Sequence, residues 1–113
     1  MTKCLFISLF AITLLACSKN HPITEVAPFK NTIPLHDQFH ITLPENHTTG
    51  YMWQMNSNYD SKVVDYIKSV WHGNEKGVDF NFEAGQKGTT ALNFTLIKYT
   101  DTLEARQFVI EVK

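Results

Sequence analysis

The sequence predicts an all-β protein, a single antiparallel β-sandwich. Three observations predict it. Short stretches alternate apolar and polar residues with a period of two, the period of a half-buried strand. Clusters of Gly, Pro, Asn, Asp and Ser punctuate them at short intervals. No long stretch carries a clean 3.6-residue period, so no amphipathic helix competes for the core.

The chain opens on a segment outside the fold. Met1, Thr2 and Lys3 form a basic start, residues 4–15 are nearly all apolar, and the run ends in Leu14-Leu15-Ala16-Cys17. That order describes a secretory signal, and the apolar part is short for a membrane span. Leu-Leu-Ala-Cys resembles a bacterial lipobox, which implies cleavage after residue 16 and lipidation of Cys17. Ser18 follows where an inner-membrane lipoprotein tends to carry aspartate, so the expected location is the cell envelope, anchored in the outer membrane. Residues 17–36 are polar and contain Pro22, Pro28 and Pro34. They read as a lipid-anchored tether, with room for a short strand at 23–26. Residues 37–113 remain as one domain.

Within that domain the strands follow in order. Phe39, Ile41 and Leu43 alternate with His40 and Thr42. After a polar run ending at Gly50, Tyr51, Trp53 and Met55 alternate with Met52 and Gln54. Residues 56–61 are loop by composition. Residues 62–71 fit a bulged strand or a helical turn, and their β-branched and aromatic content favours the strand. Residues 72–77 form a loop with Gly73 and Gly77 at its shoulders. Val78, Phe80 and Phe82 then face one way, and Asp79, Asn81 and Glu83 the other. A turn at 85–88 leads to 91–99, with Leu92, Phe94 and Leu96 on one face. A short turn at 100–102 precedes 107–112, where Phe108, Ile110 and Val112 point in. Trp53, early in a strand after a loop, suits the core tryptophan of an immunoglobulin-like sandwich. No disulfide is available to the domain, so Phe39, Tyr51, Trp53, Phe80, Phe82, Phe94 and Phe108 must fill the space between the sheets.

Composition excludes several functions. The chain has two cysteines: Cys4 leaves with the signal and Cys17 takes the lipid, so the domain has no thiol nucleophile and no thiolate metal site. The net charge is −1 with histidines neutral, one unit more negative once Lys3 is removed, and a nucleic-acid ligand needs a basic face. The five histidines lack zinc-site spacing and read as solvated. No serine sits in a Gly-x-Ser-x-Gly elbow. No constellation supports acid–base or nucleophilic chemistry, so the chain is expected to be no enzyme and to need no cofactor or metal.

What remains is recognition by loops, and one stretch stands out. Between the first two strong strands runs Asn46-His47-Thr48-Thr49-Gly50-Tyr51-Met52-Trp53. Asn46 and the threonines can bond nearby backbone, and Gly50 can take positive φ, so the local reading is strand, rigid loop, strand with Thr48 and Thr49 at the tip. This stretch resembles the chagasin family of papain-like cysteine peptidase inhibitors, whose pattern is Asn-Pro-Thr-Thr-Gly, an aromatic, one residue, and Trp. The resemblance covers about residues 37–113. It implies a β-sandwich inhibitor, expected to be monomeric, that fills a peptidase cleft with three loops at one end. The first is Asn46, His47, Thr48, Thr49, Gly50 and Tyr51, supported by Trp53. The flanking loops would be Gly73, Asn74, Glu75, Lys76 and Gly77, and Lys98, Tyr99 and Thr100. The chain departs from the pattern in three places. His47 replaces the loop proline and removes one fixed φ. The second loop lacks an adjacent glycine pair. The third loop lacks the family's Arg-Pro, and lysine cannot supply arginine's planar fork. A different class of function, an adaptor lipoprotein that binds another envelope protein, fits the same fold without inhibition.

Overall fold

The computed structural model describes residues 19–113. The leader and Cys17 lie outside the described residues. Among the described residues eight strands form the fold: β1 Asn20–Pro22, β2 Lys30–Ile33, β3 Gln38–Leu43, β4 Met52–Met55, β5 Val64–Trp71, β6 Val78–Ala84, β7 Gly88–Lys98 and β8 Asp101–Val112. They make two four-stranded sheets, ordered β1-β3-β6-β5 and β2-β8-β7-β4. The chain crosses between sheets at the loop joining β3 to β4, so that loop spans one end of the sandwich.

Alternation sets the core. Phe39, Ile41 and Leu43 of β3 face Phe82, Phe80 and Val78 of β6 across an antiparallel ladder, and all six are buried. Leu92 and Phe94 of β7, with Phe108, Ile110 and Val112 of β8, close the core from the other sheet. Phe39 stacks on Phe82 at 5.0 Å between ring centres, and Phe94 meets Phe80 at 4.9 Å and Phe108 at 5.9 Å. Offset and edge contacts of this kind add to the area term for aromatic burial. Six of the seven expected core rings are inside. Tyr51 is the exception: it sits half-buried at the rim, because its hydroxyl reaches Asp101.

The stretch read as a tether joins the sandwich from residue 20 onward. β1 pairs parallel with β3, and β2 pairs parallel with β8, so the sheets are not antiparallel throughout. The strand expected at 23–26 lies three residues earlier. Ile23 and Ile33 enter the core. An asparagine occupies an inward site of β2 and hides the apolar alternation. Asn31 is buried and satisfied, donating to the carbonyls of Glu25 at 2.8 Å and Val109 at 3.2 Å.

Of residues 62–71, Val64–Trp71 form a bulged strand after a turn: the register of β5 on β6 slips between Tyr66 and Lys68. β5 is an edge strand, and Tyr66, Ile67 and Trp71 are exposed while Val63 and Val64 are core. The turn expected at 100–102 is shorter, because β8 begins at Asp101. Its first half lies largely exposed beyond the sandwich core, paired only along the hairpin, so it carries no inward alternation. The histidines lie at the surface, three of the five exposed, and four of them meet a polar neighbour. His21 meets Asp37 at 2.8 Å, His40 meets Asn20 at 2.7 Å, His47 meets Glu45 at 2.7 Å and His72 meets Asp79 at 2.9 Å.

Candidate functional site: three loops at one end

Strand register brings the three loops to the same end. β3 finishes at Leu43 opposite Val78, and Trp71 ends β5 opposite that same residue. In the second sheet Met52 starts β4 opposite Ile97, and Lys98 faces Asp101 across the β7–β8 hairpin. Loops 44–51, 72–77 and 99–100 therefore emerge together.

The first loop holds its own shape. His47–Thr49 is a single 3-10 turn, capped at its start by Asn46 and at its end by Gly50. The Asn46 Oδ1 accepts from the Thr48 backbone N–H at 2.9 Å and from the Thr48 hydroxyl at 2.6 Å. The Thr49 hydroxyl donates to the Asn46 carbonyl at 2.8 Å and accepts from the Tyr51 N–H at 3.2 Å. Gly50 closes the turn at φ 85°, in the left-handed region glycine adopts without penalty. A side chain there would also crowd Lys98, whose Cε would lie 3.0 Å from an added Cβ.

His47, which lacks proline's fixed φ, is held by its surroundings instead. Its ring stacks on Trp71 with centres 3.9 Å apart and planes within 10°. Its Nε2 lies 2.7 Å from Glu45 Oε2. Glu45 is itself buried, at 5% exposure, and its other oxygen accepts the Trp53 backbone N–H at 2.8 Å. Trp53 donates its indole N–H to the Pro44 carbonyl at 2.7 Å, and Trp71 donates its own to the Glu45 carbonyl at 3.1 Å. Trp53 is core, 6% exposed, and the Arg106 guanidinium lies 5.3 Å from its ring. Two indoles and one carboxylate thus fasten the loop from beneath.

The flanking loops are tied to the first. The Asn74 Oδ1 accepts the His47 backbone N–H at 2.9 Å. Gly77, at φ 80°, packs so close that an added Cβ would sit 2.2 Å from the Leu43 carbonyl oxygen. On the other side Tyr51 donates its hydroxyl to Asp101, and the Lys98 ammonium lies 5.8 Å from the Tyr51 ring. That hydrogen bond, then burial and the carboxylate's charge, holds the Tyr51 phenol above its ordinary range. Tyr99 forms the hairpin tip at φ 57° and is 92% exposed. Glu75, Lys76 and Thr100 are exposed. Pro44, Glu45, Asn46, Thr49, Tyr51, Asn74, Leu96 and Leu103 line a groove of about 340 Å³ between the loops.

Sequence reasoning named the tips and missed what braces them: Glu45, Trp71, Asp101 and the groove residues Leu96 and Leu103. Of these only Trp71, an aromatic ending a strand next to a predicted loop, left a signal. The site brings together hydroxyls, backbone and exposed rings. The first-loop threonines have their hydroxyls engaged within the turn. Such an arrangement can present a shaped surface.

The fold and this end of it define a β-sandwich that presents a stiff cluster of three loops. Residues 32–112 match the family described as Chagasin family peptidase inhibitor I42. The chain belongs to the chagasin family of peptidase inhibitors. The crystal structure of the cysteine protease inhibitor EhICP2 from Entamoeba histolytica is similar, with a TM-score of 0.71 at 16% identity over 86% of this chain and 98% of that one. The solution structure of amebosin is similar with a TM-score of 0.55 at 15% identity, over 85% and 98%. At these identities the likeness is one of fold. Among curated protein sequences none matches this chain.

Proposed function

We propose that the protein is a reversible inhibitor of papain-like cysteine peptidases that occludes the cleft with its three loops. The family supplies the class of activity. The observation that carries the reading is the cross-bonding of the loops, from Asn74 to His47 and from Tyr51 to Asp101. Loops already held in shape lose little freedom on binding, and that saving favours tight association. The 3-10 turn at Thr48 also keeps its peptide bonds folded, not extended as a substrate's would be. Thr48 and its neighbours enter the cleft, while the 73–77 loop and the Lys98–Tyr99–Thr100 tip flank its walls. Such a contact would cover on the order of 1,600 Å² in total. The same reading makes residues 1–16 a signal peptide and Cys17 the lipid-bearing residue of a monomeric envelope lipoprotein.

Titrating the mature chain into papain tests the inhibition. The expected result is full inhibition at or below micromolar protein, with Thr48→Arg at least tenfold weaker and its unfolding transition unchanged. No inhibition across several papain-like peptidases contradicts the function. Inhibition untouched by Thr48→Arg contradicts the role of the loop.

A further inference from the structure

We infer that Trp71, which lies in none of the three loops, is a positioning residue that sets the pose of the His47–Thr49 turn. The effect on a peptidase rests on the proposed function, whereas the effect on the turn does not.

The turn fixes its own shape but not its place. The bonds of Asn46 to Thr48, of Thr49 to Asn46 and of the Gly50 N–H to the His47 carbonyl join residues 46–50 to one another. Such bonds survive a tilt of the turn as a unit. At the Gly50 end the turn is tied down through Tyr51, whose hydroxyl meets Asp101. At the other end the ties run through His47. Its N–H donates to Asn74 Oδ1 at 2.9 Å, its Nε2 lies 2.7 Å from Glu45 Oε2, and its ring lies on Trp71. Asn74 belongs to an exposed loop and Glu45 to the first loop itself, so of these partners Trp71 is the one set in a strand.

Trp71 grips both sides of the residue that starts the turn. Its indole N–H donates to the Glu45 carbonyl at 3.1 Å, and its ring stacks on His47 with centres 3.9 Å apart and planes within 10°. Between these contacts sits Asn46, the cap whose Oδ1 accepts the Thr48 N–H. Strand register carries Trp71 to this spot. It closes β5 opposite Val78, and Leu43 ends β3 opposite the same residue, so the chain leaving Leu43 crosses the end of β6 and lands on Trp71. Gly77 keeps the crossing close, since an added Cβ there would sit 3.1 Å from the Pro44 Cα. The core makes little use of this side chain: it is 42% exposed, whereas Trp53 is 6% exposed.

Without the indole the turn keeps its internal bonds but samples more orientations, and apparent affinity falls with the fraction in the competent pose. One ring pair and one hydrogen bond together correspond to about a tenfold change. A loss of this kind appears in the association rate, whereas loss of a direct contact with the enzyme appears mainly in dissociation.

Amide hydrogen exchange in the free mature chain tests the turn without a peptidase. In Trp71→Ala the His47 amide, whose bond to Asn74 breaks when the turn tilts, should exchange about tenfold faster. The Ala84 amide, bonded to the Asp37 carbonyl at the far end, should be unchanged. An unchanged His47 amide overturns the inference, and so does equal acceleration at both sites. With papain, Trp71→Ala should inhibit about tenfold more weakly, through slower association. Trp71→Phe keeps a ring for His47 and should stay within about threefold of the parent chain. His47→Ala combined with Trp71→Ala should lose far less than the product of the two single losses. Losses that multiply, or a loss confined to dissociation, overturn the inference. A parent chain that inhibits no papain-like peptidase overturns the proposed function, and the exchange measurement then decides the positioning role by itself.

Discussion

At the scale of single residues, Glu45 carries more than its place in a polar run suggests. Its two oxygens hold different elements: one takes the Trp53 backbone N–H, the other faces the imidazole of His47. Glu45→Ala leaves a buried N–H without a partner and should cost about 1–3 kcal/mol. Denaturant unfolding of the variant measures this, and an unchanged midpoint would count against the bracket. Glu45→Gln retains an acceptor and should lose less. The burial of this carboxylate could not be read from the sequence, because nothing local distinguishes a solvated glutamate from one folded under its own loop. The same limit applies to His47. The loss of a fixed φ at the proline position is legible, but the Trp71 stack that steadies the ring depends on a strand twenty-four residues away. The tip residues were legible because Asn, Thr and Gly act on their own neighbours, and the bonds of Asn46 to Thr48 and Thr49 are local.

At the scale of elements, strands with clean alternation and antiparallel neighbours were readable, β3, β6 and the inner half of β8 above all. β1 and β2 were not. They are short, they pair in parallel with strands distant in sequence, and β2 turns Asn31 inward. Burial shows what they contribute: Ile33 is 1% exposed and Ile23 is 7% exposed. A chain that begins at residue 37 keeps every loop of the site but loses both side chains, and leaves the outer edges of β3 and β8 uncovered. Removing a buried isoleucine side chain down to alanine alone costs about 2–5 kcal/mol. The truncated chain should therefore show no cooperative unfolding transition by circular dichroism, while a chain from residue 19 keeps one. Equal transitions in the two would mean that these strands only decorate the sandwich. Gly77 belongs to this scale too. The second loop closes against the end of β3 only because no side chain stands between it and the Leu43 carbonyl.

At the scale of the whole molecule, the sandwich separates two ends with different surfaces. One end gathers the Thr48 turn, the Asn74 loop and the Tyr99 tip around a groove. The other gathers exposed charges of both signs, Lys19, Lys62, Lys87 and Lys113 with Asp60 and Asp65, near the point where β1 begins. The sandwich itself and the family membership agree with what the alternation and the Asn46–Trp53 stretch led one to expect. The proximity of the three loops needed the structure, because it depends on two sheets packing in one relative position. The central claim is that this loop end, and not some other surface, enters a cysteine peptidase's cleft. The most direct measurement compares binding of the protein to free papain and to papain whose cleft is filled by a covalent peptidyl blocker on the active-site cysteine. The account predicts submicromolar binding to the free enzyme and at least a hundredfold loss with the blocked one. Equal affinity for both would contradict it.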